Sequence, residues 1–274
     1  MTDFYPGDTY DTPELVKRAF REYLLLGSRW SPYSFFFYII LKYRAIALKG
    51  TYDYETWAES SFEQLTYLES CGAKFHVKGM DNIRKLTGPV VYVANHMSTL
   101  ETLALPGFIC PIQKVTYVVK EKLTKGFFWG PIMRSRDPIT VTRKDPRADL
   151  ESVLNGGMER LKNGISVIIF PQGTRQDHFD RAKFNSLGVK LAARAGVPVV
   201  PVALKTDWWG NSKILRGFGP VRRKLPIMFE FGEPIPVSGR GKAEHERCLE
   251  FIESRLRSWG ADVVDSGSSE KAEA

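Results

Sequence analysis

Residues 90–101 read VVYVANHMSTLE. Val90 to Ala94 is an unbroken apolar run of strand length. Asn95 and His96 end the run. Ser98, with Glu101 three residues later, has the form of a capping box opening a helix. The same strand-to-turn transition recurs downstream. Ile165 to Phe170 is a buried strand stopped by Pro171-Gln172-Gly173, and Val197 to Leu204 is another that contains Pro198 and Pro201. Between them, Leu150 to Leu161 and Ser186 to Ala195 have helical apolar spacing, the second closed by Gly196. Phe75-His76-Val77 reads as an earlier strand. Residues 228–237 (MFEFGEPIPV) read as the last strand and turn, before a helix built on Cys248, Phe251, Ile252, Leu256 and Trp259. Strands alternating with helices imply an α/β fold: a single domain with a largely parallel sheet flanked by helices.

At 274 residues, with 43% hydrophobic and 26% charged residues, the chain suits one main core and is neither disordered nor fibrous in composition. The boundaries read as a helical leader over 1–72, the α/β domain over 73–262 and a polar, disordered tail over 263–274, which includes SGSSEKAEA from Ser266. A net charge of +8 favours an anionic partner, whether phosphate, nucleic acid or an acidic membrane surface. A solvated basic face accounts for it equally well. Cations are spread along the chain, with local groups such as Arg216, Arg222, Arg223 and Lys224, whereas a nucleic-acid binder concentrates them in one arm or helix. No nucleic-acid partner is therefore expected. Cys71, Cys110 and Cys248 have no zinc spacing and are odd in number, so no metal site and a reducing compartment are expected. The acidic, aromatic start, residues 1–11, lacks the features of a secretory signal.

Within the leader, Thr12-Pro13-Glu14 reads as a helix start, with Leu15, Ala19, Tyr23 and Leu26 along one face. Tyr33 to Leu41 (YSFFFYIIL) is the most apolar stretch, but Lys42 and Arg44 end it well short of the roughly 18–20 residues that span a bilayer. With aromatic residues around it and cations after it, the region near 30–48 suits either an interfacial membrane segment or a buried core helix. Asp53 to Ser70 reads as a packing helix ended by Cys71-Gly72.

His96 and Glu101 are five residues apart. Inside one helix they would point away from each other, at about 100° per residue, but across a strand-to-helix turn they can meet. Glu101 is then either a helix cap, a partner of His96, or both. His96 alone could equally be a packed turn histidine. Chemically, a His-carboxylate pair is what an alcohol needs when it attacks an acyl carbon: a base for the proton, with a carboxylate that fixes the tautomer. No G-x-S-x-G elbow occurs, so a serine-hydrolase scheme is not indicated.

Four blocks in order resemble the glycerolipid or lysophospholipid acyltransferase family, typified by 1-acylglycerol-3-phosphate acyltransferase, over roughly 75–237. Asn95-His96 with Ser98 and Glu101 is similar to the family's NHxSxxD block. KEKL from Lys120, Gly130-Pro131-Ile132 and ITVTR ending at Arg143 are similar to the second. FPQGTR, Phe170 to Arg175, is similar to FPEGTR, and VPVVPVAL with FGEPIPV beyond it to the fourth. The resemblance implies transfer of a fatty acyl chain from acyl-CoA or acyl-carrier protein to a hydroxyl of a lysophospholipid, with His96 and Glu101 as a general-base dyad. It implies substrate binding by Lys120, Arg143, Gln172, Gly173, Thr174 and Arg175, with Asn95, Ser98 and Pro201 in support. No cofactor beyond the thioester co-substrate is implied, and the expected place is the cytoplasmic face of a membrane, peripheral or monotopic and not secreted. Two departures matter. Glu101 stands where the family has Asp, lengthening the arm by one methylene, and Gln172 stands where it has Glu, removing a charge from the expected acceptor pocket. These leave open another lipid alcohol or amine as acceptor, a non-catalytic lipid-binding protein on the same fold, or a thioesterase passing the acyl group to water.

Overall fold

The computed structural model describes residues 2–212 and 217–264. The leader holds β1 (Tyr10–Asp11), a single-turn α1 (Phe20–Leu24), α2 (Trp30–Leu48) and α3 (Tyr54–Ser70). After it come β2 (Phe75–Lys78), α4 (Met80–Arg84), β3 (Val91–Ala94), α5 (Leu100–Ile109), β4 (Val115–Lys120), α6 (Glu121–Lys125), α7 (Gly130–Arg134) and β5 (Ile139–Val141). The chain continues through α8 (Pro146–Lys162), β6 (Ser166–Ile169), α9 (Leu187–Ala195), β7 (Val199–Lys205), β8 (Ile227–Phe231) and α10 (Lys242–Ser258).

The strands form one sheet in the order β1-β2-β8-β7-β3-β6-β4-β5. Every pair is parallel except β1 with β2 and β7 with β8. The sheet is thus largely parallel, as the alternation of strands and helices implies. Successive side chains of a strand face opposite ways, and both faces are covered here. Tyr92, Ala94 and Ile168 enter one core with α2, α3 and α5, while Val91, Val93, Val167 and Ile169 enter the other with α8, α9 and α10. This two-sided burial is why the strands read as continuous apolar runs.

The leader departs from its sequence reading. Thr12-Pro13-Glu14 does not open a helix, and Leu15 and Leu26 are 96% and 92% exposed instead of lining a face. The Thr12 hydroxyl donates to Glu69 Oε1 (2.6 Å) and accepts from the Phe75 N–H (2.8 Å), which holds this segment extended at the sheet edge. Glu69 is 57 residues away from Thr12, so no local pattern announces the contact. Helix α3 starts where Asp53 accepts from the Thr56 N–H (2.8 Å) and stops at Gly72, whose φ of 89° few other residues adopt. Helix α2 is buried on one side only. Tyr33, Phe36, Ile40 and Tyr43 are buried against the domain, while Trp30, Phe37, Tyr38 and Leu41 are exposed. No helix among the described residues is long and apolar enough to cross a membrane. At the other end, Val263 bridges to Phe179, whereas Arg216 and the tail from residue 265 lie outside the described residues.

Pairing of β3 with β7 ends at Ala94 and Val202, and the Asn95 side chain extends it. Its amide donates to the Leu204 carbonyl (2.7 Å) and accepts from the Leu204 N–H (2.8 Å), acting as one more peptide group. Asn95→Ala strands both Leu204 groups in the core, so it is expected to lower the unfolding free energy by about 2–4 kcal/mol in urea titration. An unchanged midpoint and slope would show that Leu204 finds other partners.

Candidate active site

His96 leaves the C-terminal end of β3, and the first turn of α5 brings Glu101 back over it. His96 Nδ1 lies 2.8 Å from Glu101 Oε1. The same oxygen accepts from the backbone N–H groups of Met97 (2.6 Å) and Ser98 (2.8 Å). The other oxygen accepts from the hydroxyls of Ser98 (2.9 Å) and Thr206 (2.6 Å). Glu101 is therefore both the capping carboxylate and the partner of His96. Its extra methylene is taken up in reaching back to the backbone of the turn, and does not separate it from the ring. Ser98 is 1% exposed and its hydroxyl is directed at the carboxylate, so it is not placed as a nucleophile.

Glu101 is fully buried. Burial alone would raise its pKa. The bonds from His96, Thr206 and the Ser98 N–H, with the charge of His96, outweigh that and hold the carboxyl below its ordinary range. An ionised carboxylate only accepts, so Nδ1 carries a proton toward it, and in the neutral form of the ring Nε2 presents its lone pair. The ring is stacked on Phe170, centroids 4.3 Å apart, and Phe170 is stacked in turn on Tyr117 at 6.0 Å. The backbone of His96 is held as well: its N–H donates to Gln172 Oε1 (2.7 Å), and its carbonyl accepts from the Gln176 N–H (2.9 Å).

His96 opens on a cavity of about 500 Å³ walled by apolar residues of α2, α3 and α5, among them Phe36, Ile39, Trp57 and Leu103. Lys120, Arg143, Gly173, Thr174 and Arg175 line the same cavity. The structure thus brings together the expected dyad and five of the six expected binding residues. Arg175 bonds the Thr99 hydroxyl at the start of α5, whereas Asp177 is bonded by Asn211 and Asp180 pairs with Lys183. Arg143 bonds the Gly173 carbonyl, and its backbone N–H donates to Asp149 (2.6 Å). Its φ of 59° is held by that carboxylate, while Gly173 turns at 68° as a glycine readily does.

Two of the expected residues stand outside the lining of this cavity. Gln172 is not in the cavity: its carbonyl is occupied by the His96 N–H, so it positions the histidine's backbone. Pro201, expected in support, lies outside the cavity lining, packs beside Gly232 on the sheet and accepts from the Gly232 N–H through its carbonyl. Thr206 was not legible in sequence. It follows a strand over a hundred residues after Glu101, and only the fold shows that the two touch. Of the other histidines, His76 pairs with Asp11 at the sheet edge (2.6 Å) and His245 stacks on Phe184, both on elements apart from this turn.

The acyltransferase family model matches residues 74–205, which span β2 to β7 and hold His96, Glu101, Lys120, Arg143 and Arg175. A 1-acyl-sn-glycerol-3-phosphate acyltransferase of Pseudomonas aeruginosa is 35% identical over 246 residues, 88% of each chain. The protein belongs to the 1-acylglycerol-3-phosphate acyltransferase family. The chloroplastic 1-acyl-sn-glycerol-3-phosphate acyltransferase LPAT1 of Arabidopsis thaliana is 32% identical over 146 residues, covering 52% of this chain and 38% of that one. In fold, the crystal structure of the 1-acyl-sn-glycerophosphate (LPA) acyltransferase PlsC from Thermotoga maritima superposes with a TM-score of 0.68. That likeness covers 89% of this chain and 98% of that one at 21% identity. The activity of this acyltransferase is therefore acyl transfer, of the kind its blocks imply.

The depressed Glu101 pKa has a pH consequence. A carboxyl with a folded pKa below its unfolded value contributes stability that is complete above about pH 4.3, the usual unfolded value, and lost as pH falls through the folded one. The stability difference between the wild type and Glu101→Gln is expected to shrink as pH is lowered from 7 to about 3, read by denaturant titration at each pH. A difference that stayed constant would mean that the carboxyl is not ionised in the fold.

Proposed function

We propose that this acyltransferase moves an acyl chain from a thioester of CoA or acyl-carrier protein to the free hydroxyl of 1-acylglycerol-3-phosphate, with His96 as base. The observation that carries the proposal is a histidine, locked by a buried carboxylate, opening on a cavity that is apolar along its walls and cationic beside the histidine. The apolar wall suits an acyl chain, and Lys120, Arg143 and Arg175 suit a phosphate. The Pseudomonas aeruginosa and Arabidopsis thaliana relatives are named for that acceptor.

In the proposed reaction Nε2 takes the proton of the acceptor hydroxyl as its oxygen attacks the thioester carbonyl. The carbon–sulfur bond then breaks, and the departing thiolate takes the proton back from Nε2. Glu101 stabilises the imidazolium between these steps and is never protonated. The acceptor hydroxyl plays the part that a serine plays in a hydrolase, so no acyl-enzyme forms.

The acceptor is a lipid, and the protein has a face for one. Trp30, Phe37, Tyr38 and Leu41 project from α2, and the exposed Phe127 and Phe128 stand beside them, tied by Arg44. Its Nε donates to the Phe127 carbonyl (3.0 Å), and its guanidinium lies 4.4 Å from the centre of the Phe127 ring. An aromatic-rich face with cations next to it fits the interface of an anionic membrane without crossing it.

The test is to supply acyl-CoA and acyl-carrier-protein donors with a panel of lysolipids, lipid alcohols and amines, and to weigh the products. Phosphatidic acid is the expected main product. His96→Ala is expected to lose about 10²- to 10⁴-fold in kcat, and Arg175→Ala to raise the KM of the acceptor while leaving donor KM unchanged. Transfer by His96→Ala at the wild-type rate would end the base assignment, and a product from another acceptor would replace the lipid named here.

A further inference from the structure

A second cavity, of about 490 Å³, meets the first at His96, Val118, Arg143, Phe170 and Gly173. The two run down opposite faces of the sheet. The first is lined by Tyr117 and Val119, which face the α2–α3–α5 core; the second by Val141, Val153 and Ile169, which face the α8–α9–α10 core. Helix α5 leaves β3 toward one face, and α9 follows β6 on the other. Divergence of helices at the carboxyl ends of parallel strands is where open α/β sheets bind ligands.

We propose that this second cavity receives the 4′-phosphopantetheine arm of the acyl donor, an inference that rests on the acyltransferase reading above. In a thioester the reacting carbon lies between an apolar chain and a sulfur arm. Two cavities that diverge from one histidine match that shape, the walls of the first taking the chain and the second taking the arm. The arm alternates methylene and amide groups and ends in a phosphate. The second cavity has an apolar floor that includes Val153 and Leu187, and a polar rim of Asn185, Ser186 and Lys190. Lys190 is exposed on α9 and makes no ion pair among the described residues, so its charge is available to a phosphate. Asp149, the acidic residue of this lining, is turned to the backbone N–H groups of Thr142 (2.7 Å) and Arg143 (2.6 Å). The placement also separates the two substrates. The exposed aromatic face of α2 and Phe127 belongs to the side of the first cavity, and the second opens on the α8–α9 side, from which a water-borne carrier can arrive.

The experiment uses the full chain with Lys190→Glu, and with Leu150→Trp, which narrows the rim from a position 42% exposed. Donors are palmitoyl-CoA, palmitoyl-carrier protein and palmitoyl N-acetylcysteamine, the last lacking the phosphate; the acceptor is 1-acylglycerol-3-phosphate. Lys190→Glu is expected to raise KM about tenfold for both phosphopantetheine donors, with acceptor KM and turnover of the N-acetylcysteamine thioester unchanged. Leu150→Trp is expected to raise the KM of all three donors. An equal effect of Lys190→Glu on the N-acetylcysteamine donor, an effect confined to palmitoyl-CoA, or a change in acceptor KM alone would overturn the assignment. Absence of transfer by the wild type from every donor would instead overturn the acyltransferase reading beneath it.

Discussion

A single buried carboxylate orders the site. Glu101 accepts five hydrogen bonds with no solvent contact, and the donors come from the His96 ring, the turn at Met97 and Ser98, and Thr206 beyond β7. A charge buried without such partners would cost far more than a domain can spare, so the donors and the carboxylate require each other. The start of α5, the end of β3 and the end of β7 therefore hold one arrangement. The imidazole is fixed within it, by Nδ1 to the carboxylate, by its face to Phe170 and by its backbone to Gln172 and Gln176.

The sheet then divides the work. Its carboxyl edge carries His96, the Gly173 turn and Arg143, while its two faces are covered by different helices and leave a cavity on each side. The leader is part of this arrangement. One side of α2 closes the first cavity with Phe36 and Ile39, and its other side exposes aromatic residues. Residues 30–48 thus form one helix with a buried face and an exposed aromatic one.

Much of this was legible in sequence because the signals are local. Buried parallel strands read as apolar runs, and a capping box and a C-terminal glycine are set by neighbouring residues. His96, bonded to Glu101, lines one cavity together with Lys120, Arg143 and Arg175, residues those blocks also name. What was not legible depends on distant contacts. Thr12 reads as a helix start until Glu69 draws it to the sheet edge, and Thr206 is unremarkable until the end of β7 lies beside Glu101. Gln172 has the right position in its block, but the direction of its side chain is fixed by the His96 N–H, 76 residues earlier.

The central claim is the state of one ring: Nδ1 protonated against Glu101, with Nε2 free to accept a proton. It is tested most directly by ¹⁵N NMR of the full chain labelled at its four histidines, in alkaline buffer, with His96→Gln used for assignment. The expected spectrum gives His96 an Nδ1–H and an unprotonated Nε2, and Glu101→Gln weakens that preference. A His96 ring found with its proton on Nε2 would contradict the claim.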